Sequence, residues 1–187
     1  MITELDKNTA LILIDLQNMV VQLPLAHPIK EVLQNANQLA KAFRKAGLPV
    51  VIVNVNPAGA RWTTARKEAP SRNTTQSPDW LEISRDIETS AGDIFITKHT
   101  WCAFYETALD EELKKRGVTG IVIGGVSTSI GVEGTARAAS ERGYNLAFVK
   151  DAMTDMFLEA HENSLKYIFP RMGEIDMTER VISLLES

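Results

Sequence analysis

Six short apolar runs, separated by segments whose apolar residues recur at helical spacing, constrain this chain more than any other feature. The runs are residues 9–15, 49–55, 93–97, 120–125, 145–150 and 173–176. Each is short, nearly continuous in its apolar character and bounded by polar residues or glycine, which suits a strand covered on both faces. Helical spacing occupies residues 29–46, 107–116, 130–141, 159–169 and 178–185. In the first of these Val32, Leu33, Ala36, Leu39, Ala40 and Phe43 mark one face. Lys41, Arg44 and Lys45 suit its C-terminal dipole, and Gly47-Leu48-Pro49 stops it. Strand and helix in alternation predict an α/β fold, a doubly wound and mainly parallel sheet with helices on both faces. No linker, repeat or low-complexity tract divides residues 1–187, so a single domain is expected. The connection over residues 56–92 is long and rich in Pro, Thr, Ser, Arg and Asn, the kind of loop that often carries function.

Charge and cysteine usage narrow the partners. A formal net charge of -4 offers no basic footprint for nucleic acid. The one cysteine, Cys102, excludes an intrachain disulfide and a Cys-rich zinc site, as expected in a reducing compartment. The first eight residues are too polar for a secretion signal, and no apolar stretch approaches the roughly 20 residues of a membrane-spanning helix. A cytoplasmic protein with no membrane partner is therefore expected.

Ligands of open α/β sheets bind beyond the carboxyl ends of the strands. The residues placed there are Asp15 and Gln17 after the first run, Lys98, His99 and Trp101 after the third, and 126–131 after the fourth, with Asp151 after the fifth. A dinucleotide fingerprint needs glycines after the first strand, and Asp15-Leu16-Gln17-Asn18 has none. A P-loop needs a Gly-Lys-Ser/Thr, and residues 124–131 hold no lysine. His27, His99 and His161 are too dispersed for a metal cluster, so neither metal nor cofactor is expected.

Taken together, LILIDLQN (11–18), KHTWCAFYET (98–107), GGVSTSIGVEGTARAA (124–139) and GYNLAFVKDA (143–152) resemble the isochorismatase-like hydrolase superfamily, also called the cysteine hydrolases. The resemblance implies the same sandwiched parallel sheet. It also implies an Asp, Lys and Cys set, of which Asp15 and Lys98 match and the cysteine position falls on Gly131. A glycine cannot be acylated, so a covalent thioester route is closed at Gly131. The isochorismatase branch, whose vinyl-ether hydrolysis requires carbon protonation, commonly has glycine there, and residues 164–179 are similar to it as well. That branch tends to carry Tyr-Ala-His where Ser127-Thr128-Ser129 stands here. A closer likeness is to bacterial members with G-[VI]-S-T-x-I-G-V-E-x-T-A-R. The family pattern further implies a cis peptide at Val126–Ser127, the amides of Ser127 and Gly131 turned to the pocket, and a homo-oligomer. The apolar stretch 19–25 is a candidate for its interface.

An isolated Asp15 would cap a turn and an isolated Lys98 would be solvated; only together do they read as a catalytic pair, able to hold a proton near neutrality. Gln17, Trp101 and Phe104 are candidate substrate-binding residues, with packing as the competing role. Ser127 and Thr128 join them from the loop after the fourth strand, where Thr128 or Ser129 also suits a helix N-cap. Ser127 and Ser129 lack a histidine to activate them as nucleophiles. His99 and His161 read as surface or interface residues, and Cys102 as a small buried or half-buried hydrophobe. Two functions stand open. One is a hydrolase of a small carboxylate- or amide-bearing metabolite, with Asp15 as acid/base and Lys98 as its partner. The other is a catalytically silent small-molecule-binding or interaction protein that keeps the fold.

Overall fold

Two neighbouring strands in this protein are buried at every position: β1 (Thr9–Ile14) and β4 (Gly120–Val126). Strands so covered sit in the middle of a parallel sheet. The computed structural model describes residues 1–58, 60 and 78–186. Within them β2 (Val50–Val55), β3 (Ile94–Lys98), β5 (Asn145–Thr154) and β6 (Gly173–Asp176) complete a six-stranded sheet. Its order is β3-β2-β1-β4-β5-β6, and every neighbouring pair is parallel. The sheet is thus wholly rather than mainly parallel.

Seven helices accompany it among the described residues: α1 (Asn18–Val21), α2 (Ile29–Lys45), α3 (Pro78–Leu81), α4 (Leu109–Lys115), α5 (Glu133–Glu141), α6 (Leu158–Asn163) and α7 (Thr178–Glu186). Alternation along the strands divides the core in two. Leu11, Leu13, Val50 and Ile52 point to one face and meet Leu33, Ala36, Leu39, Ala40 and Phe43 of α2 and Val181 of α7. Ala10, Ile12, Ile14, Val51 and Val53 point to the other and meet Leu109 and Leu113 of α4 and Ala136 and Ala139 of α5. Phe169 closes this second core by stacking on Phe148, ring centroids 4.0 Å apart. Full burial of a side chain such as Phe43 contributes about 2–3 kcal/mol. Beyond α2, Arg44 grips Asp93 through two hydrogen bonds of 2.9 and 2.7 Å, tying the helix end to the start of β3.

Three elements depart from the sequence reading. β5 continues past Lys150 to Thr154 through a bulge, in which residues 148–153 span the same stretch as 123–125 of β4. The bulge frees Asp151 to cap α7, its Oδ1 accepting from the Thr178 amide at 2.8 Å and hydroxyl at 2.9 Å. The helix expected over 130–141 begins with a π-helical turn, Thr128–Val132, and becomes α-helical only at Glu133. The helix expected over 159–169 breaks into α6, a π turn at Ser164–Ile168 and a 3₁₀ turn at Phe169–Arg171, where Pro170 lacks the donor that would prolong it.

The long connection expected over 56–92 falls partly on residues 59 and 61–77, which lie outside the described residues. Its far end is fixed: Asn18 N–H donates to Glu82 O and Ser84 N–H to Leu16 O, both at 2.9 Å. No helix among the described residues is long and apolar enough to cross a membrane. The strand order reverses between β1 and β4, and a crevice forms beyond their carboxyl ends at such a point.

Candidate active site

Asp15 is the first residue past β1, and its φ of +52° turns the chain off the strand. Few residues other than Gly, Asn and Asp enter this left-handed region, and such positions cluster at functional sites. Lys98 ends β3, two strands away, in register with Val55 of β2. Its side chain crosses the end of β2 so that Nζ donates to Asp15 Oδ2 at 2.7 Å and to Thr100 O at 3.1 Å. Both residues are buried, Lys98 at 2% exposure and Asp15 at 5%. Asp15 Oδ1 is buried with no hydrogen-bond partner among the described residues. Burial is the main influence on this carboxyl. It outweighs the charge and hydrogen bond of Lys98 and raises the pKa to about 6. The group therefore exchanges a proton close to neutrality.

β4 delivers the opposite wall. Gly125 has φ +122°, and a Cβ there would fall 2.1 Å from Ile14 O, so only glycine lets β4 lie this close to β1. The Val126–Ser127 peptide is cis, as the family resemblance led us to expect. The π turn then lays Gly131 over the pair. A Cβ at this position would lie 2.9 Å from Ile14 Cγ2 and 3.2 Å from Asp15 Oδ2.

These elements enclose a pocket of about 210 Å³. Asp15, Lys98, Thr100 and Ser127 supply its polar end. Met19, Val20, Leu23, Trp101 and Ile130 are among its apolar walls. Of the residues named from the sequence, Asp15, Lys98, Trp101, Ser127 and Gly131 meet here. Trp101 is 53% exposed and stands at the rim.

Three named residues stand elsewhere. Gln17 is fully buried, and its amide is engaged with the end of β2, Oε1 accepting from Val55 N–H at 2.7 Å and Nε2 donating to Val55 O at 3.0 Å. It braces the strand rather than lining the pocket. Phe104 is buried beside Tyr144, ring centroids 6.0 Å apart, with the Arg142 guanidinium 4.9 Å above its ring. It borders a different surface groove, shared with Tyr105. Thr128 is fully buried and directs its hydroxyl away from the pocket lining to His161 Nδ1 at 2.8 Å.

The histidines and remaining nucleophile candidates separate as well. His161, expected at the surface or an interface, is buried within the chain at 4% exposure. Burial, then the charge of His27, lowers its pKa to about 4. His99 is exposed and contacts Asn56 O at 2.7 Å. Ser129 hydrogen-bonds Asp155 Oδ2 through both its amide and its hydroxyl, each at 2.8 Å. Cys102 is half-buried, its Sγ accepting from the Phe104 amide at 3.3 Å. Among the described residues, no group of three or more His, Cys, Asp or Glu is arranged to hold a metal ion.

The sequence reading missed Met19, Val20 and Leu23 as pocket walls. Their apolar run was visible, but α1 has only four residues and so shows no periodicity that would aim it at the site.

Comparison with known proteins agrees with this architecture. The family model of the isochorismatase domain matches residues 9–180. The isochorismatase family protein YecD of Escherichia coli O157:H7 is 39% identical over 185 residues, covering 96% of this chain and 97% of that protein. The isochorismatase of Bacillus subtilis is 30% identical over 189 residues, covering 97% of this chain and 60% of that protein. The structure of an isochorismatase family protein from Burkholderia thailandensis superposes with a TM-score of 0.94 at 36% identity, covering all of both chains. By the family model and by its likeness to these relatives over nearly its whole length, this chain belongs to the isochorismatase family of hydrolases.

Proposed function

We propose that the protein hydrolyses a small carboxylate- or amide-bearing metabolite without a cysteine nucleophile, using Asp15 as acid/base and Lys98 as its partner. The observation that carries this reading is the Asp15 carboxyl itself. One oxygen is held by Lys98, and the other is buried, unpartnered among the described residues and attached to a group with a pKa of about 6. Such an oxygen is suited to giving or taking a proton at a bound ligand.

For a vinyl ether, Asp15 protonates the terminal carbon, and the electron pair of the C=C bond forms the new C–H bond. Water adds to the resulting oxocarbenium ion and returns a proton to Asp15. The hemiketal then collapses to a ketone and an alcohol. For an amide, ionised Asp15 takes a proton from a water molecule as its oxygen attacks the carbonyl, and the amides of Ser127 and Gly131 receive the oxyanion. Asp15 then returns the proton to the nitrogen as the C–N bond breaks, releasing the acid and the amine. Gly131 has no side chain to form a covalent intermediate, so water attacks directly in both cases. Neither scheme uses a cofactor. The kinship with the Bacillus subtilis isochorismatase supports a hydrolytic role, and the cytoplasm is its proposed location.

The pocket rim exposes Leu23, Trp101 and Ile130. We assign this apolar collar to contact between copies of the chain in a homo-oligomer.

The second reading, a silent small-molecule-binding protein, is favoured by one observation: position 131 carries no nucleophile. Liquid chromatography separates the two. Isochorismate, nicotinamide and several N-carbamoyl and amide acids are incubated with the wild type and with Asp15→Asn. Turnover that the substitution abolishes supports the hydrolase. Binding of these compounds without turnover supports the silent protein.

A further inference from the structure

Behind the π turn, on the side away from the pocket, lies a buried polar cluster to which the schemes above give no part. Thr128, Thr154, Asp155 and His161 are each at most 4% exposed. Thr128 Oγ1 meets His161 Nδ1 at 2.8 Å, and Asp155 holds the next residue, Ser129, by amide and hydroxyl. His27 packs on His161 with ring centroids 4.6 Å apart, and its Nδ1 meets Thr154 Oγ1 at 2.9 Å. Ala26 N–H donates to Asp155 O at 2.8 Å, so the segment that follows Leu23 is tied to the same cluster. Two walls of the pocket are thereby anchored in one place.

We propose that His161 is a positioning residue of this site: through Thr128 it fixes the turn that lays Gly131 and Ser127 against Asp15. Whichever partner is removed, the polar group left behind, hydroxyl or ring nitrogen, is buried without its hydrogen bond and moves toward water. Loss of the bond also unpins the turn from the helix that carries His161. A Cβ added at Gly131 would fall 3.2 Å from Asp15 Oδ2, so the turn lies close over the carboxyl, and a turn that lifts admits water to it. Hydration removes the burial that keeps Asp15 protonated near neutrality. The charged and titratable groups facing His161 are His27 and Asp155. His161 itself is neutral at pH 6, so replacing it takes no charge away from Asp15.

The inference rests on reading the Asp15 pocket as the working site, but its test needs no substrate, so failure of the hydrolase reading is seen separately. The probe is the carboxyl carbon of Asp15, followed by ¹³C NMR titration in folded protein. Thr128→Val, which preserves volume and leaves both imidazoles in place, lowers the Asp15 midpoint by about one pH unit, as does His161→Phe. Thr128→Ser, which keeps the hydroxyl, and His161→Asn, which keeps a polar atom near the place of Nδ1, titrate as the wild type. Should His161→Phe fail to fold, Thr128→Val decides alone. An unmoved midpoint in Thr128→Val, or equal shifts in Thr128→Val and Thr128→Ser, overturns the proposal. A merely structural loss lowers the melting temperature without moving that midpoint.

Discussion

Lys98 Nζ lies 2.7 Å from Asp15 Oδ2, whereas Oδ1 of the same buried carboxyl has no hydrogen-bond partner among the described residues. The pair is therefore complete on one side and open on the other. A symmetrical, fully satisfied ion pair would only join β1 to β3. This one keeps an oxygen available at the end of the sheet, at the cost of leaving it desolvated.

Replacing Lys98 with Met removes the two influences that lower the Asp15 pKa and leaves burial, so the carboxyl titrates above 6. Ionised Asp15 then has no buried cation, and at pH 7 the loss of stability is roughly 3–5 kcal/mol. At pH 5 Asp15 holds its proton and the loss shrinks. Guanidinium denaturation at the two pH values measures the difference, and equal losses contradict the burial argument.

The raised pKa also sets a pH dependence for the wild type. The native carboxyl keeps its proton at pH values where the unfolded one, near 3.8, has released it. Its contribution to stability is full below 3.8 and is lost as pH rises through about 6. Relative to Asp15→Asn, the wild type therefore weakens across this window by about 3 kcal/mol. Turnover in which Asp15 donates the proton follows the same direction: kcat/KM falls above pH 6 by about tenfold per unit. Parallel denaturation and rate profiles test both statements.

An alanine in place of a helical glycine ordinarily stabilises by about 1 kcal/mol. At position 131 the sign reverses, because the new Cβ would meet Ile14 Cγ2 at 2.9 Å and Asp15 Oδ2 at 3.2 Å. Gly131→Ala is expected to lose about 1–3 kcal/mol by overpacking and to depress ligand binding. Thermal unfolding checks the first part. A stabilised variant means that the floor of the pocket yields more readily than its packing implies.

Gln17→Leu strips the Val55 amide and carbonyl of their partner at the end of β2. The expected cost is about 2–3 kcal/mol in stability. The KM of the folded fraction stays unchanged, because Gln17 is absent from the pocket lining. A change in KM without loss of stability would restore Gln17 to the substrate.

Local patterns carried most of the fold. β6 spans Gly173–Asp176, the range its apolar run marked, and α2 ends within one residue of the expected boundary. The run that marks β5 ends at Lys150 because Asp151 is polar, and only its cap on α7 explains why this carboxylate belongs inside the strand. Asp15 and Lys98 were legible because both lie at strand ends, where side chains converge. Gln17 and Thr128 occupy equally suggestive places in the chain, yet their side chains turn to Val55 and His161. Proximity to a strand end gives location, not direction. His161 was invisible as a partner because Thr128 lies 33 residues before it and nothing local to either residue announces the contact.

The central strands have a consequence for what a solution experiment will see. β1 and β4 are sealed beneath both cores and pair with each other from Thr9 to Gly125, and the pocket rests directly on their carboxyl ends. Amides in such strands exchange with deuterium only when the whole molecule opens. A ligand seated on that floor, at free concentration L, will therefore slow exchange in β1 and β4 by the whole of the RT ln(1 + L/Kd) it adds to global stability, and the rise in melting temperature will be that of the entire chain.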